Sequence, residues 1–444
     1  LASSFGSRGF FIIPHTEEAD VYIFNTCTVT SMAEQKARRM IRKIAREHPD
    51  ALIIITGCYA QLEPEEARGL AENVIVLGQQ RKHLLLDIPS VLSDAGPEGW
   101  GLRERLEVLE RIEELERLEG GALNGELEHR QGEYAYGPFS FAADTYSFHS
   151  RAFLKVQDGC DRRCAYCRVP LARGDSVSLE SSAVLARARR LEEAGYREIV
   201  ITGVNITSYR DGSYRLPELI DTLTGGLERA RIRLSSLEPE MITQRLLEAV
   251  SHPSVCAHFH LPVQSGSDEI LAAVGRPYGA ERVRRAVAQL REAKKNPFIA
   301  ADVIVGLPGE RNEEFEQTRR LLEDCSFSRL HVFPYSPRPG TELYRRKGPR
   351  VPERIAGERA RSLQELSDEL YGSYIQRQVG TETEAVLEQE GSNGTWSGLS
   401  DSYLHLRISA VPKVPARRGS LCRVRITDEG TDTAEPSAVF LHFA

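Results

Sequence analysis

The chain has 444 residues, 41% of them hydrophobic and 27% charged, with a formal net charge of -7. That length predicts two or three domains rather than one. The composition is that of a globular protein without a membrane-spanning stretch or a signal-peptide opening, which predicts a cytoplasmic location and no membrane partner. The acidic balance does not exclude nucleic acid, because residues 98–133 carry much of the acidity while Lys413, Arg417, Arg418, Arg423 and Arg425 crowd together as a local basic patch.

In chain order, short apolar strands over 20–24, 51–55 and 73–77 alternate with a helix over 31–47, the pattern of a parallel sheet covered on both faces. Ser31 and Glu34 have the spacing of a capping box at the start of that helix. Cys27 and Cys58 then fall just past the carboxyl ends of two parallel strands, where ligands bind in open α/β sheets. Residues 93–145 form an acidic connector with glycines toward both ends. Within it Leu102, Leu106, Leu109, Ile112, Leu115 and Leu118 recur at helical spacing.

From Arg151 onward, six strand candidates (152–156, 198–202, 231–235, 257–261, 301–305 and 329–333) alternate with helical stretches. Repeated βα units without hairpin signals predict a parallel partial barrel, two units short of a closed one. After a charged helix over 351–378 the period changes to two. Leu404, Leu406 and Ile408, and later Cys422, Val424 and Ile426, alternate with a polar, partly basic face, which predicts a small antiparallel β-barrel whose outer Arg and aromatic positions suit RNA. The expected segmentation is 1–92, 93–145, 146–378 and 379–444.

Eight cysteines in a chain of this length argue for reduced thiols and metal binding rather than a disulfide framework. Three of them, Cys160, Cys164 and Cys167, follow the first barrel strand at x3 and x2 spacing. No second Cys pair or His pair lies at zinc-finger distance. A structural zinc closes with four protein ligands, whereas a four-iron four-sulfur cluster on three thiolates keeps one iron open. A zinc knuckle with a His or a distant Cys as fourth ligand is the alternative reading. Cys256, Cys325 and Cys422 sit in or beside apolar elements and read as core.

The Cys-x3-Cys-x2-Cys spacing, with Tyr166 before the last cysteine, resembles the radical S-adenosylmethionine superfamily. With Asn25-Thr-Cys-Thr-Val-Thr30, Ile55-Thr-Gly-Cys-Tyr-Ala-Gln61, Val169-Pro170, Ala172-Arg-Gly174, His260-Leu-Pro-Val-Gln-Ser-Gly-Ser-Asp268 and Ala301-Asp-Val-Ile-Val-Gly-Leu-Pro-Gly-Glu310, it is similar to the methylthiotransferases of that superfamily over nearly the whole chain. The resemblance implies a six-unit partial barrel and a C-terminal TRAM module. It also implies two four-iron four-sulfur clusters and S-adenosylmethionine, whose reductive cleavage gives a 5'-deoxyadenosyl radical.

Cys160, Cys164 and Cys167 would hold the catalytic cluster, and Cys27 and Cys58 two positions of the auxiliary one. A third auxiliary ligand lies in the family in a Gly-Cys-x-x-Asn segment ahead of the first helix. This sequence begins at Leu1 inside that helix, so the natural chain is expected to extend further. Tyr166, Gly203, Asn205, Ser235, Glu238, Gln264, Val303 and Gly306 match positions that contact S-adenosylmethionine, although Gly203-Val204-Asn205 stands where Gly-Gly-Glu is usual. The wording around Cys27 most resembles members that modify carbon 2 of N6-threonylcarbamoyladenosine at tRNA position 37, in an anticodon loop whose bases splay out. N6-isopentenyladenosine in tRNA and a ribosomal-protein aspartate are the other family acceptors, and a non-catalytic RNA-binding protein with a structural metal is the rival outside it. A flavodoxin- or ferredoxin-type electron donor is implied as a partner.

Overall fold

A computed structural model describes residues 1–14, 16–94, 137–141, 149–346, 350–391, 394–414, 416–427 and 435–444. The connector helix expected over 102–118 lies outside the described residues. The chain divides into two compact units, one of residues 1–143, 167–175 and 336–341, the other of residues 144–166, 176–335 and 342–444.

In the first unit, β1 (Val21–Thr26), β2 (Leu52–Gly57) and β3 (Val74–Gly78) form a parallel sheet in the order β1-β2-β3. β2 is central and buried along its length. Its alternate residues face two cores, Leu52 and Ile54 toward Leu84, Leu85 and Ile88, and Ile53 and Ile55 toward Ile41 and Ile44 of the helix Ser31–Glu47. The expected capping box is replaced. Thr30 is the N-cap and accepts from Ala33 N at 3.1 Å, while Glu34 turns away into a buried position.

In the second unit β4 (Ala152–Lys155), β5 (Glu198–Thr202), β6 (Arg231–Leu234), β7 (His258–Gln264), β8 (Phe298–Val305) and β9 (Arg329–Pro334) are all parallel where they pair. Two three-stranded runs, β6-β5-β4 and β7-β8-β9, are joined by an Ile232–Val255 bridge and by Leu237 N donating to His260 O at 2.8 Å. The result is the six-strand partial barrel. Beside β9 runs the helix Glu353–Gln378, whose Ser367 hydroxyl accepts from Leu330 N and donates to Leu330 O. That side chain occupies backbone groups a free edge would expose.

β10 (Glu382–Glu390), β11 (Trp396–Ser400), β12 (His405–Ser409), β13 (Leu421–Ile426) and β14 (Ser437–Phe443) close a second barrel in the order β10-β11-β12-β14-β13. Leu404, Leu406, Ile408, Cys422, Val424 and Ile426 form its core, as their alternation predicts. One pairing, β12 with β14, is parallel. Five strands closed in a ring cannot alternate in direction all the way round, so one parallel pair is a topological necessity.

This barrel packs against the partial barrel through an apolar cluster that includes Phe298 and Ala300 of β8, and through buried charge. Glu198, fully buried, receives Arg233 Nε at 2.6 Å and Arg231 Nε at 2.8 Å. The same guanidinium groups donate to the carbonyls of Glu384, Leu399, Ser400 and Asp401 in the C-terminal barrel. Burial alone raises a carboxyl pKa, but the Arg233 and Arg231 charges outweigh it and hold Glu198 far below the usual range. A depressed carboxyl contributes stability above its unfolded value and loses it as pH falls through the folded one. Arg233→Ala should therefore lower unfolding free energy by about 3–5 kcal/mol at neutral pH, and the deficit should shrink below the ordinary carboxyl value of 4.5. Denaturant unfolding across pH measures this, and a deficit that grows in acid contradicts the assignment.

Candidate active site

Parallel pairing sets Thr26 beside Gly57 and Gly57 beside Gly78 at one edge of the first unit, so Cys27 and Cys58 follow register-matched residues. Gly57 has φ +96, and a Cβ there would collide with the Thr26 backbone. Only glycine lets the two cysteine-bearing turns approach this closely. Thr26 Oγ1 donates to Thr56 O at 2.5 Å and accepts from Ala60 N, tying the turns together.

Behind Cys27 the buried carboxylate of Glu34 accepts from Thr28 Oγ1 at 2.5 Å, from Arg168 Nη1 at 3.4 Å and from Arg338 Nη2. Arg168 also donates to Glu63 Oε1 at 2.6 Å. Thr28 and Arg168 directly follow Cys27 and Cys167 in the chain, so one carboxylate positions the neighbours of two predicted ligands. Glu34→Ala would leave two buried guanidinium groups short of their counter-charge.

In the second unit Cys160 and Cys164 lie on the loop after β4, and Cys167 opens the 167–175 segment counted with the first unit. Gln157 holds the start of this loop. Its Nε2 donates to Asp158 O, Gly159 O and Ser176 Oγ, and its Oε1 accepts from Asn205 N at 2.7 Å. Gly203 lies against Gln157 so closely that a Cβ would sit 2.9 Å from its carbonyl oxygen. Asn205 is buried, and its Nδ2 has no hydrogen-bond partner among the described residues.

The sequence-based assignments omit Arg276. Its guanidinium reaches Cys164 Sγ at 3.6 Å, Glu238 Oε1 at 3.2 Å and Pro262 O at 3.1 Å, and it lies over the Tyr278 ring. Glu238 Oε2 and Arg276 Nε are buried without hydrogen-bond partners among the described residues. Arg162 adds a second cation 3.6 Å from Glu238.

The other predicted contacts fall at the same strand edge. Tyr166 packs against a core of Ala165, Ile270, Val274 and Leu307. Ser235 N donates to Ile201 O just past β6. Gln264, buried at the end of β7, has φ +69, a left-handed backbone that costs a non-glycine residue about 1 kcal/mol or more. Gly306 has φ +76, and a Cβ there would meet Ala356 Cβ at 2.7 Å. Val303 is fully buried, in register with Gln264 on one side and Val332 on the other.

All eight cysteines are unbridged. Among the described residues no three Cys, His, Asp or Glu side chains gather within reach of one metal ion. The fit to iron–sulfur chemistry rests on the donors: free thiols on both strand edges, and a cationic donor beside Cys164 of the kind that surrounds cluster sulfur. Cys256, Cys325 and Cys422 are buried, and burial pushes their thiols up to about 12, 11 and 12, which confirms the core reading. On the C-terminal barrel Arg423 and Arg425 flank Glu382, at 3.6 and 2.8 Å.

A measurable consequence attaches to Glu34. Glu34→Ala should destabilise the first unit by about 3–5 kcal/mol and Glu34→Gln by less, read from denaturant unfolding, because only the first removes every acceptor. Equal unfolding curves for both variants and the natural protein would contradict the role given to this carboxylate.

Comparison with known proteins shows which family the chain resembles. Residues 154–322 match the Radical SAM superfamily model and residues 1–78 the model described as Uncharacterized protein family UPF0004. The chain is 38% identical to the threonylcarbamoyladenosine tRNA methylthiotransferase MtaB of Treponema pallidum, over 97% of this chain and 95% of that one. It is 32% identical to the MtaB of Thermotoga maritima, over 91% and 86%. It is 34% identical to the tRNA-2-methylthio-N(6)-dimethylallyladenosine synthase of Cereibacter sphaeroides, over 98% and 93%. With a three-cysteine loop on a partial barrel and end-to-end likeness at these identities, the chain belongs to the radical S-adenosylmethionine tRNA methylthiotransferase family.

Proposed function

We propose that the protein places a methylthio group on carbon 2 of N6-threonylcarbamoyladenosine at position 37 of tRNA. The observation that carries this is the cysteine loop at the strand edge of a six-strand partial barrel, in a chain matched over 97% of its length by a relative of that name. Cys160, Cys164 and Cys167 would hold the catalytic cluster, and Cys27 and Cys58 part of the auxiliary one. Tyr166, Gly203, Asn205, Ser235, Glu238, Gln264, Val303 and Gly306 would border S-adenosylmethionine. Bound there, cluster and S-adenosylmethionine supply the one-electron chemistry that an unreactive carbon–hydrogen bond demands.

This chain's own residues orient and neutralise. Arg276 offsets the charge of Glu238 and donates to Cys164 Sγ, so the carboxylate is not left without a counter-charge in a buried site. Gln157 fixes the loop against the end of β5, which limits its motion relative to the strand edge. Outer Arg residues of the C-terminal barrel, among them Arg407, Arg423 and Arg425, offer cations to RNA phosphate. In this reading 1–92 carries the auxiliary site, 93–145 connects, 146–378 carries the partial barrel and 379–444 the RNA-binding module. Electrons come from a flavodoxin- or ferredoxin-type donor in the cytoplasm. Among the described residues, no helix is long and apolar enough to cross a membrane.

Mass spectrometry of tRNA nucleosides from cells lacking the gene tests the reading. The methylthio form of threonylcarbamoyladenosine should vanish while the unmodified nucleoside accumulates. Its survival, with loss of a methylthio form of isopentenyladenosine instead, would overturn the choice of acceptor.

A further inference from the structure

The helix Ser31–Glu47 turns Ile41 and Ile44 into the core beside β2, and its opposite face carries a run of cations. Arg38, Arg39, Arg42, Lys43 and Arg46 fall on this one helix of a chain whose net charge is -7, and with Gln35 they line an open groove of about 650 Å³. Gln35, Arg39, Arg42 and Arg46 follow one another at spacings of four, three and four, which sets them in one row along the helix. Arg38 donates to Glu66 at 2.7 Å, and Lys43 lies 3.8 Å from Glu47. Arg39, Arg42 and Arg46 are exposed, and their side chains make no ion pair or hydrogen bond among the described residues.

Like charges at these spacings repel one another and weaken the helix. The helix dipole favours a cation in the last turn, which accounts for Arg46 but not for Arg39 or Arg42. The chain's own carboxylates leave the repulsion uncompensated, so the row is complete only with an anion from outside. Two features define that anion. From Arg39 to Arg46 the row is about 10 Å long at about 1.5 Å per residue, and a nucleic-acid strand repeats its phosphate roughly every 3 Å of duplex axis. An extended polyphosphate meets all three arginines at once, whereas a small anion meets one or two. From Gln35 to Arg46, moreover, every exposed side chain is polar. A protein partner would need an apolar or aromatic anchor at the middle of its interface. The exposed apolar side chains of this region, Val29 and Met32, gather instead at the Cys27 end.

We propose that this helix holds the phosphate backbone of the tRNA, in addition to the C-terminal barrel, a deepening that rests on the tRNA acceptor named above. The helix begins just after Cys27, at the edge to which the auxiliary site is assigned, and runs away from it, with Arg39 about 12 Å and Arg46 about 22 Å along the axis from Ser31. The backbone flanking a nucleotide presented at that edge follows the same course. Arg39, Arg42 and Arg46 pair with successive phosphates of the anticodon arm whatever its sequence, and so fix how the loop is presented.

The test is fluorescence anisotropy of labelled tRNA with the whole protein over a range of salt concentrations. Arg39→Ala, Arg42→Ala and Arg46→Ala combined should weaken binding roughly tenfold or more near physiological salt and flatten the slope of log affinity against log salt by about two to three, close to one counterion per lost contact. Its thermal unfolding should match that of the natural protein, and lysine at the same three positions should keep the slope. A control with Arg284→Ala, Arg319→Ala and Arg354→Ala loses the same charge from arginines already paired with carboxylates, and should keep both affinity and slope. Unchanged affinity and slope in the first variant, with a natural protein that binds tRNA, overturns this surface alone. An equal loss in the control overturns it too, because net charge rather than the row would then be responsible. Retained tRNA binding with lost binding of an acidic flavodoxin overturns it in favour of a protein partner. A natural protein that does not bind tRNA counts against the acceptor reading and this surface together.

Discussion

Parallel strand pairing is the constraint on which the rest depends. Strands that all run one way deliver their carboxyl ends to a single edge, and the chain must turn there before each return helix. In the first unit that edge carries Cys27 and Cys58, and in the second it carries Gly203, Ser235, Gln264 and Gly306. The turns are tight, and the backbone records it. Gly57 and Gly306 occupy positive φ where a side chain would meet its neighbours, and Gln264 adopts positive φ despite having one. Strained conformations held by surrounding structure are characteristic of ligand-binding positions.

The opposite end of the partial barrel is sealed by the C-terminal module. Arg231 and Arg233 reach from β6 to four of its carbonyls while sharing one buried carboxylate. Beside the apolar contacts of the joint, guanidinium forks bound to carbonyls and carboxylate add directional geometry that fixes its register. The C-terminal barrel is thereby held in register with the strands that carry the cysteine loop. Tyr403, held at φ +64 between His258 and the Arg233 guanidinium, is the point at which that module forms the floor of the lumen.

The architecture was legible in the sequence because it is written in short-range patterns. Period-two alternation of Leu404, Leu406 and Ile408 and the continuous apolar run of β2 are statements about neighbours, and they translate directly into burial. The cysteine loop was legible for the same reason, its three cysteines lying within eight residues of one another. Glu34 was not, because helix-cap spacing offered a local partner whereas its Arg partners lie 134 and 304 residues away. Arg276 reaches Cys164 across 112 residues, and His260 reaches Asp302 across 42. Polar side chains whose partners arrive from distant strands leave no periodic trace, and positioning groups of this kind are what the folded chain adds.

The central claim is that the loop of Cys160, Cys164 and Cys167 leaves one iron of a four-iron cluster free for S-adenosylmethionine. Electron paramagnetic resonance of anaerobically reconstituted, reduced protein tests it most directly, recorded with and without that nucleotide. The account predicts a reduced-cluster signal whose g values change on adding S-adenosylmethionine, and loss of the response in Cys164→Ala. A signal indifferent to the nucleotide, or no iron–sulfur signal in fully reconstituted protein, would contradict it.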